Sequence, residues 1–79
     1  MLYIIVRSIY NKDGEIEEEW FLEKRKDVIG WTTDLNYCAS KFSFYNAIKN
    51  LELVRQNYGY DMYDKFTKSE FNIEPYIKE

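Results

Sequence analysis

The sequence predicts an α+β domain: an antiparallel β-hairpin and further short strands, in the order ββ(β)αβ, with one helix packed on one sheet face. Three observations carry this reading. Leu2 to Tyr10 is β-branched and aromatic with no turn residue, the composition of a strand. Asn11-Lys12-Asp13-Gly14 follows at once and suits a type I turn closed by Gly14 in the left-handed region. Further on, Phe44, Ala47, Ile48, Leu51, Val54 and Tyr58 recur at three- and four-residue steps, the period of an amphipathic helix.

Each element follows from its residues. Glu15 to about Lys24 returns as the second strand of the hairpin. With Lys12, Asp13 and Gly14 as the loop, Tyr10 lies opposite Ile16, Arg7 opposite Glu19, Val6 opposite Trp20, Ile5 opposite Phe21 and Ile4 opposite Leu22. This register predicts a core face of Leu2, Ile4, Val6, Tyr10, Ile16, Trp20 and Leu22, with Ser8 and Glu18 interrupting it. The outer face then holds Tyr3, Ile5, Arg7, Ile9, Glu17, Glu19, Phe21 and Glu23. A short third strand is expected around Ile29 to Thr32. Asp34 can cap a single helical turn through Ala39, and Ser43 is the expected N-cap of the main helix. Gly59 suits the left-handed residue that ends it. Phe66 to Ile73 reads as a last strand, ended by Pro75.

Length and composition bound the rest. Seventy-nine residues make a single domain over 1–79, with no room for a second core. Eight Tyr, five Phe and two Trp supply the apolar area a small core needs. The net charge of −3 disfavours direct nucleic-acid binding. Lys24-Arg25-Lys26 is the one basic run, flanked by Glu23 and Asp27. One cysteine and no histidine leave neither an internal disulfide nor a zinc site of the usual kind. Leu2 to Val6 is too short an apolar run for a membrane span, and a cytoplasmic location is expected. Lys, Asn, Ile and Tyr dominate while Ala, Gly, Pro and Arg are scarce, a bias toward A/T-rich codons.

No catalytic, cofactor-binding or metal-binding motif is recognisable, and the chain reads as a non-enzyme. No carboxylate pair adjoins a nucleophile motif or a Gly-rich loop. Cys38 has no histidine partner and reads as a buried structural thiol. The acidic run Glu15, Glu17, Glu18 and Glu19 has two readings. It can imitate phosphates and occupy a basic groove, or it is a solvated strand face partly neutralised by Arg7 across from Glu19. The outer-face Tyr3, Ile5, Ile9 and Phe21 form either an interface patch with a charged rim or a surface covered by the tail, Phe71 to Ile77. The expected partner-binding residues are Glu15, Glu17, Glu19, Phe21, Tyr3 and Ile5, with Tyr60, Asp61, Tyr63 and Asp64 from the Tyr-rich connection.

The stretch "FLEK…GWTTDLNYCASKFSFYNAIKNL" resembles small phage and prophage accessory proteins. Phe21, Leu22, Trp31, Thr32, Asp34, Leu35, Ala39, Phe42 and Ala47 carry the resemblance. Asn46 stands where the pattern has Glu, and Cys38 precedes Ala39. These are structural positions, so no catalytic residue is carried across. The resemblance implies a setting in which small acidic proteins bind and block host proteins, as anti-CRISPR and other anti-defence inhibitors do. The expected partner is a host protein with a basic nucleic-acid-binding surface. The alternatives are a nucleic-acid-binding accessory protein, using Lys24-Arg25-Lys26 and sheet aromatics, and a structural or oligomeric phage component.

Overall fold

A computed structural model describes residues 1–26, 28–58 and 68–77. In chain order the elements are β1 (Tyr3–Tyr10), β2 (Ile16–Arg25), β3 (Val28–Thr32), α1 (Phe44–Tyr58) and β4 (Lys68–Pro75). This is the expected α+β arrangement. The strands form one antiparallel sheet in the order β3-β2-β1-β4, and α1 packs across one of its faces, linking the two edge strands.

The first turn forms as its residues dictate. Gly14 takes φ +83°, its amide bonds Asn11 O at 3.0 Å, and the Asn11 amide bonds Glu15 O at 2.9 Å. The Asn11 side chain accepts from the amides of Asp13 and Glu15. A Cβ at φ +83° costs about 1–2 kcal/mol. Gly14→Ala is therefore expected to lower the melting temperature by several degrees. At Gly30 an added Cβ meets only Glu23 O, at an ordinary 3.8 Å, and Gly30→Ala should melt like the parent. Equal melts for the two variants would contradict this turn geometry.

The hairpin register differs from the sequence expectation by one residue over most of its length. Tyr10 does pair with Ile16, but the next rung is Ile9 with Glu18, so Glu17 is the extra residue of a β-bulge. Ser8 then faces Glu19, Arg7 faces Trp20 and Val6 faces Phe21. Since opposite residues share a face, the bulge changes which β1 residues join Trp20 and Leu22. Ile5, expected outside, is fully buried in the main core cluster with Leu22, Val54 and Phe71. Ile29, Trp31, Phe42, Leu51 and Ile73 pack around them. Trp31 stacks on Phe71 with ring centroids 5.6 Å apart.

The far face is not bare along its central strand. Ile4, Val6 and Ser8 are buried as well. The C-terminal segment does not fold over that face: it pairs edge-on with β1 from Tyr3↔Pro75 to Tyr10↔Lys68, and its Phe71 enters the helix-side core. The part of the last strand expected at Phe66 and Thr67, like Gly59, lies outside the described residues.

The link from β3 to α1 follows its capping residues. Asp34 Oδ1 accepts the Tyr37 amide at 3.1 Å, and the amides of Cys38 and Ala39 bond Asp34 O. Ser43 caps α1, its Oγ accepting the Asn46 amide at 3.3 Å. The helix buries Ala47 and Val54, whereas Phe44 and Ile48, both placed on the expected stripe, are exposed. Phe44 instead sets its ring edge-on to Tyr3 at 5.1 Å.

Between the link and the sheet lies a wedge. The β1–β2 ladder ends at Val6↔Phe21, beyond which Ser40 to Phe42 bonds both strands. Ser40 N donates to Leu22 O, and Tyr3 and Phe42 exchange two main-chain bonds at 2.8 Å each. Ser40 Oγ also accepts the Lys24 amide at 2.8 Å. The wedge satisfies main-chain groups that parting strands would otherwise bury unpaired.

Candidate functional site

The acidic strand is the most strongly featured surface. Glu15, Glu17, Glu18 and Glu19 are all exposed. The expected neutralising contact is missing, because the bulge moves Arg7 away from Glu19. Arg7 lies instead between Trp20 and Phe71 across the ladders, its guanidinium 5.7 Å from the Trp31 ring centroid. Its charge lies over the Trp31 face rather than against a carboxylate. Among the described residues the one ion pair is Arg25 to Glu23 at 3.0 Å, so no cationic side chain offsets Glu15 to Glu19 by direct contact.

The bulge also divides the expected apolar patch. Ile5 is fully buried and cannot touch a partner. Tyr3 and Ile9 are half-buried on its side of the sheet, while Phe21 is half-buried on the opposite side, between Val6 and Thr32. Tyr60, Asp61, Tyr63 and Asp64 lie outside the described residues. Of the residues singled out in the sequence, Glu19 and Phe21 share the face away from the helix, while Glu15 and Glu17 lie on the turn and in the bulge beside it.

Two further acids join that face from β4. Glu70 lies opposite Ser8 and Glu74 opposite Ile4, so Glu19 and Glu70 flank the buried Ser8 from either side. The Tyr10 hydroxyl donates to Glu70 Oε2 at 3.2 Å. Neither stands out in the sequence, because nothing local fixes the register of β4 against β1. Their signal was the alternation of Glu70, Asn72 and Glu74.

Beside the acidic run, Glu18, Glu19, Trp20 and Thr33 line an open hollow of about 270 Å³. The Trp20 indole N–H donates to Glu18 Oε2 at 3.1 Å, which orients the ring along the strand. Of the basic run, Lys24 Nζ donates to Asn50 Oδ1 at 3.0 Å and the exposed Arg25 pairs with Glu23, while Lys26 is exposed.

Cys38 is half-exposed rather than buried. Its thiol donates to Asp34 Oδ2 at 3.5 Å, and that hydrogen bond, reinforced by desolvation and by the Asp34 charge, raises its pKa above the ordinary value. A raised pKa leaves less thiolate, the reactive form. Asp34→Asn keeps a capping side chain but removes the charge, so iodoacetamide should alkylate Cys38 faster in that variant at pH 8. An unchanged or slower rate would contradict the contact.

Among the described residues no cluster of three or more His, Cys, Asp or Glu side chains could hold a metal ion. No described helix is long and apolar enough to cross a membrane. No protein-family model, curated protein or solved structure matches this chain.

Proposed function

We propose that this chain is a non-enzymatic protein-binding inhibitor from a phage or mobile element, of the anti-CRISPR type, that blocks a host defence or nucleic-acid-handling protein. The acidic strand β2 occupies the basic surface on which that protein would hold nucleic acid. The supporting observation is the exposure of Glu15, Glu17, Glu18 and Glu19 without a cationic contact among the described residues. Successive strand side chains alternate between faces, so Glu18 and Glu19 carry negative charge to both sides of the β2 edge, with Glu17 in the bulge beside them. The edge as a whole presents the sign of charge that a basic nucleic-acid-binding groove attracts. Glu19, Glu70 and Glu74 extend the negative potential across the sheet. The hydrogen bond of Lys24 to Asn50 and the net charge of −3 weigh against direct nucleic-acid binding.

The test is capture from a bacterial lysate on the immobilised protein, followed by elution with duplex DNA. A retained nucleic-acid-handling protein that duplex DNA releases supports the reading. A retained partner indifferent to DNA and to salt overturns it.

A further inference from the structure

β3 stops short of the strand it pairs with. Its last rung is Phe21↔Thr32. The Asp34 amide then bonds the Thr32 hydroxyl at 3.0 Å, and the capped turn at Asp34 leads the chain away from the sheet. β2 extends further, from Trp20 back to Ile16, with β1 on one side and, among the described residues, no strand on the other. Antiparallel strands aim alternate N–H and C=O groups to each side. This stretch therefore presents main-chain donors and acceptors along an edge where Ile16 and Glu17 to Glu19 are exposed.

Charge and bulges are the usual guards of such edges, and both are present here. Guarding by charge is selective, however. Carboxylates without a cationic contact repel a second copy of the same edge and attract a cationic strand. The hollow at Trp20 fits that choice, since an indole face beside carboxylates suits an alkyl stem with a charged head.

We propose that the open edge of β2, Ile16–Trp20, pairs with an extended Lys- or Arg-bearing segment of a partner protein, laid end to end with β3, with one basic side chain in the hollow between Trp20, Glu18, Glu19 and Thr33. This rests on the reading of the acidic strand as the binding surface. It adds that main-chain pairing, as in other strand additions, supplies the geometry while the carboxylates select the sign of charge.

The probe is a synthetic peptide of alternating Lys and Val, compared with the same peptide N-methylated at alternate amides along one edge. In ¹⁵N-labelled protein, the Lys-Val peptide is expected to shift the amide signals of Ile16–Trp20 and the Trp20 indole signal. N-methylation removes several main-chain hydrogen bonds, so it should weaken binding at least about tenfold. An alternating Glu-Val peptide should not bind. Equal affinity for the methylated and unmethylated peptides overturns the edge pairing, as do shifts centred on Glu70 and Glu74. Either result leaves the charge-based reading standing, because release of a captured partner by duplex DNA tests that reading separately.

Discussion

Leu22→Ala will remove a large share of the domain's stability, about 2–5 kcal/mol by the usual cost of emptying a buried leucine site. Leu22 is almost fully buried and belongs to the cluster of Ile5, Val54 and Phe71, so the cavity has contacts on every side to lose. Small domains have only about 5–15 kcal/mol in total, and urea denaturation will show the variant unfolding at a much lower midpoint. Ile5→Ala should behave alike. A midpoint near the parent's for Ile5→Ala would contradict its place in this cluster. Trp20→Ala should cost less than either, because Trp20 is only half-buried.

The triple replacement of Glu15, Glu17 and Glu19 by Gln separates binding from folding. Exposed substitutions of this kind change stability by only about 0.5 kcal/mol, and the melting temperature should stay close to the parent's. Association with a basic partner should slow by about tenfold or more at low salt, since charge steering is worth roughly 10–10³ in rate. The dependence of association on ionic strength should flatten, because fewer charges remain to be screened. Phe21→Ala should act on the other rate constant, shortening residence time by removing an aromatic anchor. Surface-plasmon kinetics at two salt concentrations distinguishes them. Parent-like kinetics for both variants would remove β2 as the binding surface.

What was legible in the sequence was local. The Lys12-Asp13-Gly14 loop, the Asp34 and Ser43 caps and the presence of the helix each depend on residues within a few positions of one another, and each formed as read, although Phe44 and Ile48 of the expected stripe are exposed. The bulge was not legible, for a specific reason. Register is fixed by apolar parity, and Glu17, Glu18 and Glu19 are identical side chains, so an extra residue among them leaves no trace in the pattern. That one silent position placed Ile5 outside, set Arg7 against Glu19 and merged Phe21 with Tyr3. Within the candidate site, the exposure of Glu17 and Glu19 was readable from charge and alternation, whereas Glu18, expected on the core face, is exposed as well. Glu70 and Glu74 were not, because their place beside β1 depends on a pairing between distant parts of the chain. The wedge at Ser40 to Phe42 depends likewise on tertiary contact and has no local signature.

That wedge also orders events in folding. A hairpin normally closes on itself within microseconds and needs nothing from later sequence. Here the turn end of β1–β2 can zip in that way, but the open end is tied together by Phe42 and Ser40, far along the chain. The first hairpin is thus completed only when the segment leading into α1 has arrived, which makes a local element answer to a non-local contact. The amides of Tyr3 and Phe42 are joined to that late step. Their hydrogen exchange should follow the cooperative unfolding of the whole domain, not the fraying of a strand end.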